Sequence, residues 1–225
     1  MKKADVAEFY LRLAELNPEP VGELEWINPY TLLVAVALSA QATDVSVNLA
    51  TRSLFRLADT PEKMLALGEE RIREQIKTIG LFNTKAKNLV LMARQLVEQH
   101  NGEVPRDREV LEQLAGVGRK TANVVLNTAF GQPTIAVDTH VFRVANRTSL
   151  ARGKTPLEVE LKLQKATPAP FLQHAHHWLI LHGRYICKAR APECWRCRVV
   201  DLCAYREKKL VAPRSRTAAN VDQAR

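Results

Sequence analysis

Apolar residues recur along most of this chain at three- and four-residue spacing, the signature of helices that bury one face. Four segments carry the pattern plainly: "NPYTLLVAVALSAQATD" (28–44), "TPEKMLALGEERIREQIKTIG" (60–80), "NTKAKNLVLMARQLVEQHNG" (83–102) and "TPLEVELKLQKATP" (155–168). Each opens on a capping or turn residue. In the third, Leu89, Met92, Leu96 and Val97 form the stripe, and Asn101-Gly102 falls where a helix C-cap belongs. The opening "MKKADVAEFYLRLAEL" reads as an amphipathic helix, and no run alternates with period two. The pattern predicts an all-α protein of many short helices, with no internal repeat and no low-complexity linker within residues 1–205.

Composition adds bounds. At 225 residues, 46% hydrophobic and 25% charged, the chain is ordinary globular material with length enough for a substantial core. Its longest apolar run, Leu32–Ala40, is far short of the roughly 20 residues that cross a bilayer, so no membrane partner is expected. The N-terminal segment lacks a signal-peptide core, and Asp5, Glu8 and Glu15 argue against a transit peptide; a cytoplasmic location is expected. Net charge is +9, and residues 187–225 hold ten Lys/Arg against four Asp/Glu. That concentration favours a polyanionic partner, nucleic acid before membrane, with a merely solvated basic tail as the alternative. Residues 209–225 lack apolar periodicity and read as a disordered basic tail.

The four cysteines, Cys187, Cys194, Cys197 and Cys203, fall within 17 residues as C-x6-C-x2-C-x5-C. In a reducing compartment, thiols so close read as ligands of one metal centre rather than as two disulfides. Tetrahedral thiolate geometry suits zinc or an iron–sulfur cluster, and spacing does not separate the two.

A second stretch, "LAGVGRKTANVV" (114–125), sets two glycines before Arg119, Lys120 and Thr121. It is not a nucleotide loop of the GxxxxGK[ST] type, because Arg119 precedes the lysine and no strand precedes the loop. One helix is expected to end over Val110–Leu114 and another to open near Gly118. Gly116 and Gly118 would permit positive φ and close backbone approach. The unpaired first-turn N–H groups, backed by the helix dipole, would make an anion site; a plain helix–helix turn is the competing reading. On the helix wheel Val117, Thr121, Val124 and Thr128 share a face, with Lys120 at its margin beside Asn123 and Asn127. Partial burial, the helix N-terminus and neighbouring Arg119 would all disfavour the ammonium form. That matters because an amine of pKa about 10.4 is neutral only about once in 2,500 at pH 7. In "PTIAVDTHVFRVANR", Asp138 precedes a helical pattern and reads as its N-cap.

The cysteine loop and "GVGRKTANVV" together resemble the endonuclease III family of helix-hairpin-helix DNA glycosylases, and the resemblance runs over residues 1–208. One departure is Ala115, where relatives usually carry proline, so the turn lacks a fixed φ. The resemblance implies two helical lobes: a six-helix barrel over 22–132 that contains the hairpin, and a lobe of 1–21 and 133–208 that carries a [4Fe–4S] cluster on the four cysteines. Duplex DNA with damaged pyrimidines or abasic sites would lie in the cleft between them. The implied activity is base-excision repair by a monomeric, nucleoid-associated DNA N-glycosylase and AP lyase that removes oxidised or ring-saturated pyrimidines.

On that resemblance Lys120 would be the nucleophile and Asp138 its acidic partner, a role compatible with capping. Gly116, Val117, Gly118, Arg119 and Thr121 would hold the DNA. "LSAQATDVSVN" matches an early family motif that makes Gln41 the plug for the gap left by a flipped nucleotide, with Leu81 of "TIGLFNTKA" a wedge beside it. By the residues alone, Gln41 is an ordinary helix-end residue and Leu81 a core position. Asp44 and His140 are candidates for the lesion pocket. His174, His176, His177 and His182 show no ligand pattern and read as packing or surface. Two rival readings stand beside this one. An adenine-mismatch glycosylase usually lacks the lysine and adds a C-terminal domain. A non-catalytic, metal-stapled DNA-binding module would need neither Lys120 nor Asp138.

Overall fold

Polar caps start most of the helices, at Asn28, Thr60 and Thr155 as the sequence predicts, whereas Asn83 lies within its helix, whose N-cap is Leu81. Asn28 accepts from the Thr31 N–H in a reciprocal capping box, and Thr43, Thr60, Asp107, Asp138 and Thr155 each accept a first-turn N–H without the return bond. The structure, a computed structural model, describes residues 1–213; residues 214–225 of the expected tail lie outside the described residues. Among the described residues the helices are α1 (Lys3–Leu16), α2 (Pro29–Leu38), α3 (Asp44–Leu57), α4 (Pro61–Ile76), α5 (Phe82–His100), α6 (Arg108–Glu112), α7 (Arg119–Phe130), α8 (Thr139–Thr148), α9 (Pro156–Ala166) and α10 (Leu172–Tyr185). Short 3-10 turns lie at Ala169–Phe171 and Cys194–Arg196. No strand occurs among the described residues, as the periodicity predicts.

Buried apolar side chains gather into two cores. Helices α2 to α7 surround the first, with Leu33, Leu54, Met64, Ile76, Met92 and Val125 inside it. The second joins α1 to α8, α9 and α10 through Phe9, Tyr10, Val141, Leu163 and Leu179, and takes in Val199 from the cysteine loop. The chain therefore enters the second lobe, leaves to build the first, and returns. Asn127 secures the return crossing: its Nδ2, with two hydrogens to give, lies within reach of the carbonyls of Gln132 (3.2 Å), Thr134 (3.1 Å) and Gln173 (3.0 Å).

Three expectations change. The helical segment 28–44 is two helices, since α2 stops at Leu38 and α3 starts at Asp44. Lys85 Nζ donates to the carbonyls of Leu38 (3.0 Å) and Ala40 (2.8 Å), taking up acceptors that end the helix. The segment 60–80 is broken at Gly68, whose φ of 78° and ψ of 159° are not helical. Leu81 is not core: it caps α5 at φ 61° and is 61% exposed. The Asn101-Gly102 stop is borne out, with Asn101 left-handed at the C-cap of α5.

Candidate active site and nucleic-acid interface

Gln41, Asp44, Lys120, Thr121, Asp138 and His140 are scattered over 100 residues of sequence, yet they line one cavity of about 350 Å³ shared by both lobes. Arg184 lines it too, a residue that sequence reading missed. Gln41 sits in the turn after α2 with φ 56°, a left-handed conformation that costs a non-glycine residue about 1 kcal/mol. Its side chain is exposed. Leu81, Gly116, Val117 and Gly118 lie outside the cavity lining.

Lys120 is the second residue of α7, in its first turn. It opens on a cavity with Val124 and Thr128, while Asn123 and Asn127, on its other flank, are buried. Together Lys120, Val124 and Thr128 line a smaller cavity of about 60 Å³ with Trp26, His176 and His177. Burial lowers the Lys120 pKa, Asp138 and Asp44 oppose that, and Arg184 adds to it. Arg184 therefore takes the part expected of Arg119. No hydrogen bond contributes to the Lys120 shift.

Asp138 caps α8: its Oδ1 accepts the N–H groups of His140 and Val141, both at 2.8 Å. Oδ2 takes no hydrogen bond among the described residues, so the cap leaves one carboxylate oxygen for the cavity. The start of α8 is pressed from behind by Gly183 of α10, where a Cβ would stand 2.8 Å from the Cβ of His140. At the next residue, Arg184 Nη1 reaches Asp44 Oδ2 at 2.6 Å and also contacts Glu23, joining α10 to the first lobe. His176, Ile180 and Arg184 line cavities at i, i+4 and i+8, a period visible in the sequence once the helix is known. His176 Nδ1 lies 2.9 Å from the Ala136 carbonyl, and burial pushes its pKa down to about 3, so the ring is neutral and Nδ1 donates. Burial likewise lowers His177 to about 4.

The hairpin connects α6 to α7. Of its glycines only Gly116 uses positive φ (77°), and it packs on α5, where a Cβ would lie 3.2 Å from Asn88 Cβ. Gly118 has φ −107°, so its freedom is not needed; open space surrounds the place of its missing Cβ. Among the described residues the N–H groups of Gly118, Arg119, Lys120 and Thr121 have no acceptor within the chain. They form the exposed positive end of a 12-residue helix. Arg119 departs from expectation: its guanidinium grips buried Glu160 of α9 at 2.8–3.1 Å, which commits its charge to joining the lobes.

All four cysteines are free and line one pocket with Ile186, Val199 and Val200. Tyr205 N–H donates to Cys203 Sγ at 3.4 Å, and Arg147 Nη1 to Cys187 Sγ at 3.7 Å. Burial pushes the Cys197 thiol up to about 11 and moves Cys203 the same way. Such a pocket disfavours bare thiolates.

A two-lobed helical fold, with free helix-start N–H groups and a half-buried amine beside one cleft, is the architecture of a helix-hairpin-helix protein. The chain belongs to the HhH-GPD superfamily of base excision DNA repair proteins, whose family model matches residues 34–169. It is 61% identical to endonuclease III of Escherichia coli (strain K12) over 208 residues, which span 92% of this chain and 99% of that one. Endonuclease III of Haemophilus influenzae is 59% identical over the same shares. Among solved structures, a trapped endonuclease III–DNA covalent intermediate matches at TM-score 0.85 and 44% identity, over 90% of this chain and 96% of that one. A non-covalent endonuclease III–DNA complex matches at TM-score 0.85 and 45% identity, over 90% and 95%.

Proposed function

We propose that the cleft carries out base excision through Lys120 and Asp138 on duplex DNA holding oxidised or ring-saturated pyrimidines or abasic sites, the chain acting as a monomer. Family and relatives make it a DNA glycosylase and AP lyase of base-excision repair. The observation that carries the residue assignment is the amine of Lys120, mostly buried and free of hydrogen bonds, in one cavity with Asp44 and Asp138. Deprotonated, that amine attacks sugar C1′, and the glycosidic electron pair leaves with the damaged base. Asp138 stabilises the cationic transition state. The sugar then opens to an imine on Lys120, loss of a C2′ proton expels the 3′ phosphate, and water releases the lysine.

The free N–H groups at Gly118–Thr121 would hold a DNA phosphate, with Gln41 and exposed Leu81 entering the gap in the duplex. The working lobe boundaries are 22–132 and 1–21 with 133–208. Four sulfurs surround one pocket, and membership of the endonuclease III-like family favours a [4Fe–4S] cluster over zinc there. When bound, the cluster would staple the loop of Cys187–Cys203 to the second lobe. A non-catalytic module gives no reason for Lys120's placement.

Borohydride trapping on a thymine-glycol duplex tests the reading. A covalent adduct is expected, lost in Lys120→Ala; a fully active preparation that gives none overturns it. Iron analysis tests the cluster, and a colourless protein with stoichiometric zinc refutes it.

A further inference from the structure

We propose that Gln95, in the middle of α5, is a positioning residue that latches the hairpin in its DNA-holding shape. The proposal rests on reading the hairpin as the DNA grip. Gln95 Oε1 accepts the Ala115 N–H at 2.8 Å, while Nε2 donates to the Gln113 carbonyl at 3.1 Å. One side-chain amide thus clasps the backbone on both sides of buried Leu114. Two helical turns earlier on α5, Asn88 backs Gly116. Helix α5 therefore meets the turn at two heights.

The clasp exists because residue 115 has an N–H to give. Proline would remove that donor and fix φ near −65° by its ring. Ala115 and Gln95 are a matched pair, in which a hydrogen bond from a neighbouring helix restrains the turn in place of a covalent ring. Without the clasp, the backbone bond across the turn is Val117 N–H to the Leu114 carbonyl, 3.0 Å. A looser turn scatters the free N–H groups that follow it, which weakens DNA binding through lost preorganisation. Lys120, anchored in α7 and set by cavity burial, keeps its chemistry once DNA is bound.

The full chain carrying Gln95→Met, which keeps length and removes both bonds, tests the latch. Amide exchange at Ala115–Gly118 should quicken at least about tenfold, with the amides of α1 unchanged. The Kd for a duplex holding a tetrahydrofuran abasic analogue should rise about three- to tenfold, the scale of one hydrogen bond, while kcat stays within about twofold. Adding Ala115→Pro should bring exchange and Kd back to within about twofold of the starting protein. Unchanged exchange in Gln95→Met overturns the latch, and so does a folded double variant with no recovery. Quickened exchange with unchanged Kd overturns the reading of the hairpin as the DNA grip, and this role with it.

Discussion

Two lysines stand near the starts of two helices of the first lobe, and their surroundings differ. Lys85 of α5 is 8% exposed and holds two backbone carbonyls beneath the Gln41 turn. Lys120 of α7 faces the cleft and holds nothing, with Asp138 and Asp44 near enough to be felt. Burial lowers the pKa of both. The difference teaches that burial alone does not mark a reactive amine. A partnered buried lysine is a structural cap for carbonyls, whereas an unpartnered one opening on a cavity keeps its lone pair available.

The largest expected effect separates them directly. Lys120→Ala should lower strand nicking by at least about 10³-fold, since the proposed nucleophile is gone. Lys85→Met should still give the trapped adduct, with its loss confined to KM through the Gln41 turn. Equal loss of trapping in the two variants would erase the distinction.

Asp138→Asn comes next, because it divides capping from charge. Asparagine caps as well as aspartate, so the melting midpoint should hold while kcat falls about 10²-fold. A variant with both stability and kcat intact would leave Asp138 a cap only. In stability the larger effect belongs to Lys85→Met, which strands the carbonyls of Leu38 and Ala40 at a cost of about 2 kcal/mol, read by denaturant unfolding.

Part of this contrast can be read from the sequence and part cannot. The caps at Asn28, Thr60, Asp107 and Thr155, the Asn101 stop and the cysteine spacing are local signals, and local chemistry suffices to find them. Lys120 and Asp138 were reached through motif resemblance, supported by their helix-start positions. Lys85, Gln95, Arg184 and His176 carry no local sign, because their roles come from carbonyls and cavities 40 or more residues away, or 18 and 20 for Gln95. By the residues alone Leu81 reads as core, because an apolar residue in a helical frame normally faces inward; left-handed φ at the cap turns it out, as the wedge implied by the resemblance requires. Arg119 was read as a charge on its neighbour because its partner, Glu160, lies 41 residues on in the other lobe.

The smallest effect carries the sharpest sign. Burial lowers the Lys120 pKa below its unfolded value, so folding either holds an ammonium at a cost or sheds its proton. That cost is complete below the folded pKa and disappears as pH rises past the unfolded value of about 10.4. Lys120→Met should therefore raise the melting midpoint at pH 7 by a few degrees, with the gain shrinking to nothing near pH 10.5. Lys85→Met should lower the midpoint at pH 7 instead, since it strands the carbonyls of Leu38 and Ala40. Thermal melts of the two variants across pH 7 to 10.5 decide the matter. A midpoint for Lys120→Met below that of the starting protein at pH 7 would mean that the cleft amine has a stabilising partner, and that the two lysines are alike.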